Sequence, residues 1–141
     1  MKKHFPQKGF TLVEVIASIA IISLVSVLAT PNFLRVREHA KEVAAQETLK
    51  TIHYAMRSYR DVNFSYPSSL VELAPAANFG YAYLDEAVAN GAKLGYAYQV
   101  ESSDADRFFV SAIPQDAGVG NRIFMVDERG EVREGTLSDT Q

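Results

Sequence analysis

One carboxylate, Glu14, stands near the start of an apolar run that reaches from Phe10 to Ala29, and it is the only charge in that run. An ionised side chain at bilayer depth costs roughly 2.5–3.5 kcal/mol on insertion scales, so such a group normally has a partner and a purpose. Just upstream, Gly9-Phe10 closes a short leader that carries Lys2, Lys3 and Lys8 and no acid. An ordinary secretory signal is cut after its apolar region. Here a cut after Gly9 removes only the basic leader and leaves the hydrophobic segment on the mature chain. The chemistry this suggests is done to the chain, not by it.

The remaining reactive side chains make no catalytic constellation. There is no Cys, no HExxH, no GxSxG and no phosphate loop, and we expect no enzyme. His4, His39 and His53 are scattered without metal-ligand spacing and read as solvated surface. Asp104 and Asp106 read as turn chemistry. Asp116, with Asp127 and Glu128 as distant helpers, is a weak calcium candidate; otherwise no metal and no cofactor is expected. Gly118-Val119-Gly120 reads as a loop. Phe33, Tyr54, Tyr59, Phe64 and Tyr66 lie on or beside a helix and read as core packing and linker anchors. Tyr66-Pro67 and Tyr81-Ala82-Tyr83 are alternatives for exposed recognition patches.

The elements that must carry these residues follow from periodicity. The apolar run is about 20 residues, about 30 Å as a helix, which matches a hydrocarbon core. The lysines before it place the N-terminus in the cytoplasm by the positive-inside rule. Between Phe10 and Arg60 there is no Gly and a single Pro, Pro31. After Pro31, Val36, Ala40, Val43 or Ala44, Leu49, Ile52, Met56 and Tyr59 recur at three- and four-residue steps among charged residues. That pattern predicts an amphipathic continuation with one buried stripe, giving a single helix of about 50 residues, with a bend or local melting at Pro31. Residues 61–67 end it. A serine-capped short helix over 68–73, closed by Pro75, and another around 84–89, stopped at Asn90-Gly91, are expected next.

The period then changes to two. Residues 95–101 alternate, with Tyr96, Tyr98 and Val100 on one face, and 107–113 and 122–127 are apolar strands. Asp127-Glu128-Arg129-Gly130 signals a hairpin, and 131–134 is a short charged edge strand. The expected fold is α+β: a long N-terminal helix, its first half transmembrane, packed on a C-terminal antiparallel sheet of about four strands. The expected organisation is a cleaved leader 1–9, a membrane or core helix 10–30, an amphipathic half 31–60, a linker 61–94, a sheet 95–135 and a frayed tail 136–141.

Composition agrees with one small domain plus an anchor: 141 residues, 48% hydrophobic and 22% charged. Without the leader lysines, 11 basic residues face 17 acids, a balance of −6, which argues against a broad nucleic-acid-binding surface. With no cysteine, the exported part must hold together by packing alone.

The stretch KGFTLVEVIASIAIISLVSVLATPNF resembles the N-terminus of type IV pilins and type II secretion pseudopilins. The matching residues are Gly9, Phe10, Thr11-Leu12-Val13, Glu14, the apolar run and Pro31-Asn32-Phe33. The resemblance implies cleavage between Gly9 and Phe10 by a prepilin peptidase, which also N-methylates Phe10. It implies a type IV pilin-like fold and assembly, helix inward, into a filament on an inner-membrane platform driven by a cytoplasmic ATPase. The subunit would be single-pass in the bacterial inner membrane before assembly and in a periplasmic or cell-surface filament afterwards. Its partners would be copies of itself and other pilins. Glu14 would then neutralise the new ammonium of a neighbour's Phe10, and Pro31 would let packed helices loosen. Whether the filament is a pilus or a secretion pseudopilus stays open. Two alternatives remain. One is a competence-type minor pilin that binds DNA through Arg107, Arg122, Arg129 and Arg133; the other is a membrane-anchored monomer.

Overall fold

The computed structural model describes residues 9–75, 83–116, 119 and 122–135; of residues 28–30 and 102 it describes the backbone alone. A single helix, α1 (Leu12–Asn63), contains Pro31. The chain divides into two compact units, Met1–Val36 and Arg37–Gln141.

The first unit is the N-terminal part of α1. Thr11 caps it, accepting the Glu14 backbone N–H on its Oγ1 at 3.2 Å, and Glu14 sits in the first turn, where the helix dipole favours a negative charge. Thr-x-x-Glu is the spacing of a capping box, so Glu14 is placed by the helix start as well as by the apolar run. Ser18, Ser23 and Ser26 donate their hydroxyls to the carbonyls of Glu14, Ile19 and Ile22, one turn back, at 2.7–2.8 Å. Each hydroxyl is therefore satisfied inside the helix, which apolar surroundings require.

The second unit has two layers. After α1 come a 3-10 turn (Leu70–Leu73), α2 (Glu86–Ala89) and the strands β1 (Ala92–Lys93), β2 (Tyr96–Ser103), β3 (Phe108–Pro114), β4 (Ile123–Asp127) and β5 (Val132–Gly135). The strands pair antiparallel in chain order, the expected meander. The expected α+β order is present, with five strands in place of about four. The fifth, β1, is two residues long, too short for an alternation pattern to show. Tyr96, Tyr98, Phe108, Val110, Phe124 and Val126 form one side of the sheet and pack in a single core with Leu49, Ile52 and Met56 of α1. The opposite side carries Phe109 across from Asp127 and Met125 across from Arg133.

The buried stripe on α1 differs from the expected one. Leu49, Ile52 and Met56 are fully buried, joined by Ala45 and Ala55, but Val36 and Val43 are exposed and Ala40 faces solvent. At about 100° per residue, Val43 and Tyr54 lie roughly 150° and 170° round the helix from the mean of Ala45, Leu49, Ile52 and Met56. The expected stripe changes face at the five- or six-residue step from Ala44 or Val43 to Leu49: Val36, Ala40 and Val43 lie on one side of the helix and Leu49, Ile52 and Met56 on the other. The face that packs on the sheet is apolar, while the outward face mixes the exposed Val43 and Tyr54 with Glu47, Lys50 and Asp61.

Side chains tie the linker down. Ser69 accepts the Val71 N–H and Glu72 completes the capping box. Arg60 pairs with Asp106 at 2.9 Å and lies over the Tyr66 ring, which packs edge-on against Phe108. Tyr66 and Pro67 are buried, so they are anchors and not an exposed patch. Phe33, Tyr54 and Phe64, expected to pack, are exposed. Tyr81 and Ala82 lie outside the described residues, while Tyr83 packs on Tyr59. His53 is also unlike its expected solvated state: it is 6% exposed. Its Nε2 is 3.2 Å from the Glu128 carbonyl, with its ring against Phe108. The ring lies 2.8 Å from where a Cβ on Gly130 would stand, so the hairpin needs glycine there both for its φ of +82° and for the close approach.

Candidate assembly site

The residues singled out at the N-terminus lie just before α1 and on its first turn. Phe10 is 81% exposed, and Gly9 has open space where a Cβ would stand. Thr11 and Glu14 follow as cap and first-turn acid. Leu12, Val13, Val15, Ile16, Ile19, Ile21, Ile22, Leu24, Val25 and Val27 are all exposed, on every side of the helix. A helix apolar all round is at home only inside a bilayer or inside a bundle. Its small residues Ala17, Ser18, Ala20 and Ser23 allow close helix approach, and the back-bonded serines bring no unsatisfied group to such a contact. Among the described residues no single helix is long and apolar enough to cross a membrane; the α1 stretches Leu12–Val27 and Pro31–Asn63 are so, by length and composition, only when taken together.

The other candidates do not converge. Among the described residues no three His, Cys, Asp or Glu side chains come together as metal ligands, and Asp116 is exposed, its carbonyl accepting the Val119 N–H. Asp104 caps its turn through the N–H groups of Asp106 and Arg107, which hold its carboxyl below the usual range. Of the four arginines considered for DNA, Arg122 pairs with Glu134 and Glu42, and Arg133 pairs with Glu131 and Asp127. Paired guanidiniums do not make an open basic patch.

Two features of the site escaped the sequence reading. The capping role of Thr11 was signalled by Thr-x-x-Glu and overlooked beside the membrane argument. The outward face of α1 was hidden because its residues merge with the core stripe when only spacing is read.

Comparison with known proteins falls on this same region. Residues 5–30 match the family model described as the prokaryotic N-terminal methylation motif. Over 84 residues, 58% of this chain, the sequence is 31% identical to the type IV major pilin protein PilA of Myxococcus xanthus, covering 38% of that protein. Over 63 residues, 45% of this chain, it is 33% identical to the type II secretion system core protein G of Pseudomonas aeruginosa, covering 44% of it. The core protein G of Vibrio cholerae is 32% identical over 69 residues, 49% of this chain and 47% of the relative. The chain therefore spans less than half the length of the curated relatives it matches. The resemblance to type IV pilins and type II secretion pseudopilins is borne out, with the methylation motif at its centre.

Proposed function

We propose that this chain is a structural subunit of a type IV pilus or a type II secretion pseudopilus. The observation that carries the reading is the coincidence of the methylation motif with a helix exposed and apolar on every side, leading into a folded head. On this reading a prepilin peptidase cuts between Gly9 and Phe10, and Phe10 is N-methylated. The subunit waits in the bacterial inner membrane with its N-terminus cytoplasmic. A platform with a cytoplasmic ATPase then moves it into a filament of its own copies and related subunits.

In the filament the ammonium of Phe10 and the Glu14 carboxylate of a neighbour neutralise one another. The pair enforces register more than it adds stability, because desolvating both charges offsets most of their attraction. Beyond the membrane-length segment, the outward face of α1 offers the bundle Val43 and Tyr54 among the charged Glu47, Lys50 and Asp61. Pro31 removes one backbone donor from the helix, a point at which packed subunits can loosen.

The test is expression in a pilus-assembling host, with mass spectrometry of the processed N-terminus and imaging of sheared filaments. The expected outcome is a mature chain starting at methylated Phe10 and recovered in filaments, with Glu14→Ala processed normally but assembled at least tenfold less. Normal assembly by Glu14→Ala overturns the pairing. Recovery of the parent chain only as membrane-bound monomer overturns the subunit role.

A further inference from the structure

A cavity of about 270 Å³ opens on the side of the sheet that faces away from α1, lined by Phe109, Met125, Asp127, Glu131, Arg133 and Glu134. Its floor is an aromatic ring and a thioether. Met125 is 6% exposed although no helix covers that side of the sheet among the described residues. Two carboxylates, Asp127 and Glu131, and the Arg133 guanidinium stand round it, while Glu134, across from Phe124, turns its carboxylate to the α1 side of the sheet. Arg133 is shared by Glu131 at 3.0 Å and Asp127 at 3.8 Å, so a single cation answers two acids. Glu134 is answered by Arg122, which is itself shared with Glu42. At the pocket itself two carboxylates share one guanidinium, leaving an excess of one negative charge at the rim of an apolar floor.

We propose that this pocket takes a lysine or arginine side chain presented by a partner polypeptide. The hydrocarbon stem of such a side chain lies against Phe109 and Met125 while its cationic head reaches the carboxylates. An anionic or purely apolar occupant would leave the excess charge unanswered. Among the described residues β5 is an edge strand of the sheet beside the pocket, where an extended segment that carries the basic residue can pair. Within the second unit the exposed face of α1 and this pocket lie on opposite sides of the head, because the sheet packs on the other face of the helix. If α1 turns that face into a filament, as the subunit reading has it, the pocket remains open on the outside. The inference rests on that reading for the pocket's accessibility and on the pocket itself for its chemistry.

Methionine methyl groups give a direct readout, because Met56 lies in the core and Met125 in the pocket floor. The full chain, labelled with ¹³C-methyl methionine in nonionic micelles, is titrated with trilysine, triarginine, triglutamate and N-acetyl-norleucine amide. The expected result is a saturable shift of Met125 with the two cationic peptides alone, Met56 unmoved, weakened by salt. Glu131→Gln, at an exposed position that leaves the fold intact, is expected to weaken binding about two- to fivefold. No Met125 shift at millimolar peptide, an equal shift with norleucine or triglutamate, or full affinity in Glu131→Gln overturns the proposal. So does a Met125 shift produced only by deleting residues 136–141, which would give the pocket to the chain's own end. Filament assembly is scored separately, so loss of the pocket leaves the subunit role standing and the reverse.

Discussion

Leu94 and Phe64 are the described non-glycine residues with positive φ, at +54° and +61°, and both side chains are exposed. Leu94 with Gly95 makes the two-residue turn from β1 to β2, where both positions are left-handed, a conformation suited to Asn-Gly. A branched apolar residue there is held by the hairpin at a penalty of about 1 kcal/mol. Leu94→Asn is expected to raise the thermal midpoint of the head by a few degrees without changing its fold, read by circular dichroism of the chain in micelles. An unchanged or lower midpoint would show that the leucine is stabilised by contacts its exposure hides. At Gly95 a side chain would collide with Val119, so Gly95→Ala is not an equivalent experiment. Neither position was legible beforehand: turn chemistry is read from residues that favour a conformation, and Leu94 opposes the one it adopts.

At the scale of elements, the two faces of α1 separate stability from assembly. Met56→Ala removes a fully buried side chain from the core and is expected to destabilise the head by about 2–5 kcal/mol. Val43→Ala, half exposed on the other face, is expected to change stability by less than about 0.5 kcal/mol while reducing filament yield. Denaturant unfolding of both variants, with filament recovery alongside, checks the pair; a Val43 loss comparable to Met56 would restore the single-stripe reading. The sequence showed the order of elements well, because α1, β2, β3 and β4 each hold one period over several residues. Tyr96, Tyr98 and Val100 point inward as alternation required. It showed the face of α1 badly between residues 36 and 43, where apolar residues continue without a core to meet. It missed His53 as a buried residue because a lone histidine has no periodic signature; its burial depends on a hairpin 75 residues away. The N-terminal motif was the most legible part, since charge, apolar length and the place of Gly9-Phe10 constrain one another within one short stretch.

At the scale of the whole molecule, stability without disulfides rests on one two-layer core, and its alkaline limit follows from what that core contains. Burial, with Glu42 nearby, raises the Tyr96 phenol to about 12, and burial raises Tyr98 as well. The folded chain keeps these protons after the unfolded chain begins to lose its own near pH 10. Stability is therefore unaffected below about pH 10 and falls as pH rises from there towards 12. Tyr96→Phe, which gives up only a 3.4 Å hydrogen bond to the Arg122 carbonyl, is expected to flatten that fall as followed by near-UV circular dichroism. An unchanged slope would assign the alkaline transition to other groups. The internally bonded serines of the first unit have a different consequence. Because Ser18, Ser23 and Ser26 keep their hydroxyl protons on their own helix, lipid tails and neighbouring helices are equivalent surroundings for them. On the subunit role proposed above, passage from bilayer to bundle then exchanges no hydrogen bond along those turns, which leaves the ionic partner of Glu14 as what differs between the two.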